Sequence, residues 1–132
     1  SLINADIVEL EEEMRITISM ESFFYERQAA IQVSQDAFLK ALAQELIEME
    51  SDHNIEVEIT ASPENELKNT QQEDLSLRRV IAVARILEDR GAEKSRILVG
   101  IDPSLSKGIL RLGFYKRFTP NTAPRIQQKG GN

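Results

Sequence analysis

Arg79 stands near the head of a segment with apolar periodicity, and an arginine there has three uses. Its planar fork can grip a carboxylate at two points, it can brace the start of a helix, or it can sit in solvent. A cation close to the first turn opposes the helix dipole slightly, so a compensating group is expected. His53 is the single histidine. It lies in a polar stretch beside Asp52, with no second histidine and no cysteine, which argues against metal binding and general-base work. Ser62 and Ser76 have no histidine near them in sequence. A nucleophilic serine would need His53 to fold back onto one of them, or a base from another chain. Glu56 and Glu58, with the run Glu11, Glu12 and Glu13, make an acidic patch that reads as a solvated surface. A glycosidase pair needs two carboxylates facing each other across a cleft, and same-face neighbours on one strand do not supply that. Neither G-x-G-x-x-G nor G-K-[ST] occurs. No catalytic residue, cofactor or metal is therefore expected.

The 132 residues suit one domain with one core. Hydrophobic residues make up 41% and charged residues 29%, a globular balance rather than a disordered or membrane one. The net charge of −6 argues against nucleic acid and against anionic lipid as partners, since both are bound by clustered Lys and Arg. No apolar run reaches the roughly 18 residues of a membrane span, and no signal peptide is visible. A membrane connection is expected only through a segment absent from this chain.

The elements that must position these residues can be read from periodicity. Residues 1–13 read as a linker or short helix ending in the acidic run. Residues 14–20 alternate, with Met14, Ile16, Ile18 and Met20 on one face and Arg15, Thr17 and Ser19 on the other, which predicts a half-buried strand. Phe23, Phe24 and Tyr25 follow in a connection that packs on the core. A helix is predicted over 34–49, N-capped by Ser34, with Phe38, Ala41, Leu42, Leu46 and Met49 as its apolar stripe. Residues 55–61 form the clearest strand: Ile55, Val57, Ile59 and Ala61 face one way, Glu56, Glu58 and Thr60 the other. Residues 62–72 read as an exposed loop. A second helix is predicted over 74–90, with Leu75, Val80, Val83, Ala84 and Leu87 facing the core and Gly91 stopping it. Short strands over 96–99 and 109–115 flank a turn-rich loop, and 116–132 reads as a flexible tail. Phe114, Tyr115 and Phe118 are read chiefly as core and strand-edge packing, with Phe118 also a candidate contact in a dimer or partner interface. The order β-α-β-α-β-β implies crossover connections, hence a partly parallel sheet. The fold class is α+β, an α/β sandwich whose helices cover one face of a mixed sheet.

Four local segments carry a family resemblance. Phe24–Ile31 (FYERQAAI) sits where the OmpA-like family has FDSGSAEL. VEITASPEN, residues 57–65, sits where it has VEIEGHTDN. Leu75-Ser76-Leu77-Arg78-Arg79 reproduces L-S-x-x-R, and Gly91-Ala92-Glu93-Lys94-Ser95-Arg96-Ile97 follows G-(I/V)-x-x-x-R-(I/L). Over residues 14–115 the chain thus resembles the OmpA-like domains, including the C-terminal domain of the flagellar stator protein MotB. The resemblance implies a non-catalytic domain that holds the peptidoglycan stem peptide, with an acidic residue answering the diaminopimelate amine and an arginine its carboxylate. Carried over by position, Arg79 takes the arginine place and Glu64 the acidic one, with Ser76 and Asn65 beside them. Pro63 replaces Thr, Ala61-Ser62 replaces Gly-His, and of the family's N-R-R segment only Arg111 is loosely placed.

The resemblance further implies a periplasmic location, tethering through a missing N-terminal segment, and a homodimer in a MotB-like arrangement, plausible for a flagellar stator. The rival expectation is a domain that has kept the fold, lost peptidoglycan binding and become a protein–protein interaction module, docking through its sheet edge or acidic surface.

Overall fold

Among the described residues, the strand that comes last in sequence is the middle of the sheet. The computed structural model describes residues 5–9, 13–64 and 74–116. Strands β1 (Ala5–Glu9), β2 (Glu13–Ser19), β3 (Ile55–Ala61), β4 (Ile97–Ile101) and β5 (Ile109–Lys116) lie in the order β1-β2-β5-β3-β4. β5 runs antiparallel to both neighbours, pairing Leu112 with Ile16 on one side and Ile59 on the other. β3 and β4 are parallel, joined by a crossover through α3 (Leu75–Asp89). One helical turn, α1 (Met20–Phe23), and the long α2 (Asp36–His53) connect β2 to β3.

Alternation decides which face is buried. Ile16 and Ile18, Val57, Ile59 and Ala61, and Leu110, Leu112 and Phe114 project from one face and are buried. Leu39, Leu42, Ala43 and Leu46 of α2 and Val80, Val83, Ala84 and Leu87 of α3 complete this core. Each large side chain buried there contributes about 1.5–3 kcal/mol. Arg15, Thr17, Glu56, Glu58 and Arg111 alternate with the core residues and lie on the opposite, open face. The expected α+β sandwich with helices over one face of a mixed sheet is what forms.

Several local expectations need correcting. Part of the segment read as a linker or short helix, residues 5–9, is strand β1, paired antiparallel with β2 from Ala5↔Ile18 to Glu9↔Met14. Five residues are too short for alternation to stand out beside the acidic run. Ser34 is no N-cap: a 3-10 turn, Val33–Gln35, precedes α2, and the capping residue Gln35 makes no side-chain cap bond. The α2 stripe uses Leu39 and Ala43 rather than Ala41, which is exposed. α2 runs on through His53, which is therefore in a helix and not a loop. Asn54, left-handed at φ 57°, ends it. Lys116 closes β5 rather than opening a tail. The rest of that tail, with Phe118, lies outside the described residues.

α3 has matched ends. Asp74 Oδ1 accepts from Ser76 N at 2.8 Å at its start. At its finish Gly91 N donates to Glu88 O (2.9 Å) and Ala92 N to Leu87 O (3.0 Å), a Schellman pair that requires the left-handed φ of 113° at Gly91. An added Cβ would also stand 3.2 Å from Ile47 Cδ1. Gly91→Ala is expected to lower unfolding stability in urea by about 1–3 kcal/mol.

On the open face Asp102 accepts from Ser104 Oγ (2.7 Å) and Ser104 N (2.9 Å), and pairs with Arg111 Nη2 at 3.3 Å. The Ser104 bonds, then the Arg111 charge, hold its carboxyl below the ordinary 3.8. A depressed carboxylate adds stability above its unfolded pKa and loses it as pH falls through the folded one. An NMR titration should accordingly place the Asp102 midpoint under 3.8, and Ser104→Ala should raise it.

Candidate functional site

The site candidates gather at the N-terminal end of α3. The chain leaves β3 through Ser62, which is only 1% exposed, against the expectation of an exposed loop from residue 62. Ser62 N donates to Ile109 O at 2.9 Å, and Ser62 Oγ accepts from Gly108 N (3.0 Å) and Ile109 N (3.3 Å). This latch fixes where the next residues emerge. Two residues on, Glu64 is exposed, and its N–H reaches Asp74 Oδ2 at 3.5 Å. One carboxylate, Asp74, therefore caps α3 and contacts the chain leaving β3.

Arg79 projects from the second turn of α3 towards the segment after β2. That segment is a small hairpin: Phe24 bridges Ile31, Tyr25 N donates to Ala30 O, and Gln28 N donates to Tyr25 O. Arg27 takes a left-handed φ of 61° at its tip. Arg79 Nε donates to Gln28 O at 2.8 Å and Nη2 to Tyr25 O at 3.3 Å, while Cζ sits 4.8 Å from the centroid of the Phe24 ring. Arg79 thus docks the hairpin on α3. Partial burial pulls its pKa down, Glu64's negative charge pulls it up, and Arg78 pulls it down a little. An arginine remains charged throughout. Among the described residues, no hydrogen-bond partner meets its Nη1 edge.

The structure brings Arg79 and Glu64 into electrostatic reach of one another, but no hydrogen-bonded ion pair joins them. Ser76 is buried, its N–H committed to Asp74. Asn65 lies outside the described residues. Arg111 cannot join this group, because it points to the open face of the sheet and is held by Asp102. Ser62 spends its hydroxyl on the β5 latch. Among the described residues no three His, Cys, Asp or Glu side chains cluster as metal ligands would, and no helix is long and apolar enough to cross a membrane.

Sequence reasoning missed Asp74 as a site residue, although an aspartate two residues before Ser76 at a helix start is a recognisable cap. It also missed the carbonyls of Tyr25 and Gln28. Every residue has a carbonyl, so nothing in the side-chain pattern marks the ones that a turn will aim at an arginine.

No protein-family model matches the sequence, and no curated protein sequence does either. Solved structures do match. The periplasmic domain of MotB from Helicobacter pylori (residues 97–256) superposes with a TM-score of 0.69 at 10% identity, over 86% of this chain and 85% of that one. The cell wall anchor of the type VI secretion system from Pseudomonas aeruginosa gives 0.67 at 15% identity, over 86% and 88%. The OmpA-like domain of FopA1 from Francisella tularensis gives 0.55 at 11%, over 85% and 80%. The chain has the fold of the OmpA-like and MotB C-terminal domains.

Asp74→Ala removes the α3 cap and the contact to Glu64. It should cost about 0.5–2 kcal/mol in urea unfolding and speed amide hydrogen exchange at Ser76 and Glu64.

Proposed function

We propose that this domain is a non-catalytic anchor that fastens a cell-envelope component to peptidoglycan from the periplasmic side, acting as a homodimer. Its partner is the stem peptide, whose diaminopimelate offers a carboxylate to Arg79 and an amine to Glu64; Asn65 follows Glu64 in sequence, and buried Ser76 supports the start of α3 through Asp74. The observation that carries this reading is the placement of Arg79 beside the charge of Glu64 at the head of α3, in the fold of a MotB periplasmic domain and of a cell wall anchor. Arg79 is already braced by the hairpin carbonyls, so its fork is oriented before any ligand arrives. A preorganised cation loses less freedom on binding than a loose one. Among the described residues the Nη1 edge has no hydrogen-bond partner and can meet a carboxylate, and exposed Glu64 an ammonium. A flagellar stator is one setting that such an anchor fits; a tether to a membrane would come from a segment outside this chain.

A second reading is favoured by one observation. The Nε and Nη2 donors of Arg79 are both committed to Gln28 and Tyr25 carbonyls. A domain whose arginine serves only to dock that hairpin would have lost wall binding and would act as a protein–protein interaction module.

The two readings separate in a pull-down on insoluble diaminopimelate-type peptidoglycan. Under the anchoring reading wild type sediments with the wall, and Glu64→Gln and Arg79→Ala each weaken it by about ten- to a hundredfold, the worth of one charged hydrogen bond. Glu64→Gln is the cleaner variant, because Glu64 is exposed and its side chain braces nothing among the described residues. Folded wild type that stays in the supernatant would leave the interaction module as the reading.

A further inference from the structure

We infer that two copies of this chain pair through β4, edge to edge and antiparallel, to make one continuous sheet across the dimer. The inference rests on the homodimer proposed above and is independent of the wall ligand.

β4 is an edge strand: among the described residues it pairs only with β3. Natural edges are usually blunted by proline, by a charge or by a bulge. ILVGI, residues 97–101, has none of these. Leu98 is 49% exposed on the open face and Val99 41% exposed on the helix face, so apolar surface is bare on both sides of the strand.

The direction of its backbone groups is also on the page. Asp102 N donates to Ala61 O at 2.9 Å, so even-numbered residues of this stretch turn their amides towards β3. Alternation then turns the N–H and C=O of Ile97, Val99 and Ile101 to the open edge. A two-fold axis through Val99 aligns these groups with their own copies. Val99 meets Val99 of the other copy and Ile97 meets Ile101, each as a hydrogen-bonded pair.

Side chains fit the same register. Leu98 comes opposite Gly100, where an added Cβ would meet nothing within 4 Å in the monomer, leaving room for the leucine. Val99 and the Ile97–Ile101 pairs extend the helix-face core across the axis. Beyond the strand, Arg96, which bonds Glu93 and Asn54 in its own chain, comes opposite Asp102, which bonds Ser104 and Arg111, so unlike charges flank the seam at both ends while each keeps its own partners. A parallel pairing would set like against like at these positions, which costs stability. The strand is self-complementary in sequence, size and charge, as an isologous two-fold contact requires.

Val99→Pro tests this with little harm to the fold, since it deletes an outward N–H and leaves the β3 ladder bonds in place. Sedimentation equilibrium of the full chain should give two chains for wild type and half that mass for Val99→Pro and for Leu98→Lys, with unchanged circular dichroism. The chain has no cysteine, so Val99→Cys reports contact directly. A hydrogen-bonded antiparallel pair sets its Cα atoms about 5.5 Å apart, inside disulfide range. With oxidised glutathione, Val99→Cys should crosslink to a dimer much faster than Lys40→Cys on the exposed face of α2. Wild type that sediments as a single chain would overturn the inference. So would a dimer that survives Leu98→Lys while Val99→Cys crosslinks no faster than Lys40→Cys. A single-chain wild type would sink the homodimer together with the seam, whereas a dimer indifferent to these variants would sink the β4 seam alone; neither result bears on the peptidoglycan pull-down.

Discussion

The structure depends on the insertion of β5 between β2 and β3. Those two strands are not hydrogen-bonded to each other. Seven residue pairs on each side, from Glu13↔Tyr115 to Ser19↔Ile109 and from Ile55↔Lys116 to Ala61↔Leu110, join them through the last strand alone. Leu110, Leu112 and Phe114 are therefore the residues against which both halves of the core are packed. Until β5 arrives, the β1–β2 hairpin and the β3–α3–β4 crossover can meet only through helices. Such non-local pairing closes long loops before it is rewarded.

The geometry of the candidate site follows from that insertion. Gly108 and Ile109, at the entry to β5, donate to Ser62, which fixes the exit from β3, and Glu64 emerges from there beside Asp74. From the other half of the fold, β2 delivers Phe24 and its hairpin to Arg79. Arg79 and Glu64 thus reach one place by separate routes, one through α3 and the hairpin, the other through β3 and its latch. Neither residue is held by the other. That is an arrangement in which a third charged group can be received without first breaking an ion pair.

Much of the architecture was legible because alternation and helical spacing are local. Residues 14–20 and 55–61 announced themselves by period two, and α3 by its stripe, its aspartate start and Gly91. What escaped was set by partners distant in sequence. β1 exists because β2 offers it a register, and five residues carry too little pattern to show that alone. The α2 stripe kept Phe38, Leu42, Leu46 and Met49 but took in Leu39 and Ala43 in place of Ala41, because packing, not spacing, selects among near-equivalent apolar residues: Leu39 and Ala43 are buried while Ala41 is exposed. In the site, Arg79, Ser76 and Glu64 are named by the family resemblance alone, and the structure sets all three around the start of α3. Asp74 and the hairpin carbonyls, which hold them, were not found. Backbone acceptors have no signature in side-chain identity, and the role of Asp74 depends on a contact ten residues back at Glu64.

In the proposed reading Arg79, oriented by the hairpin, and Glu64, released from β3 beside it, form one receptor for a diaminopimelate-bearing peptide. Its most direct test is an NMR titration of the labelled domain with a soluble stem tetrapeptide. The account predicts saturable shifts that are largest at the Arg79 Nε–H and at the amides of Gln28, Ser76 and Glu64, and that vanish in Glu64→Gln. A titration that leaves these signals still, or that moves chiefly the amides of β4 or of the open sheet face, would contradict it.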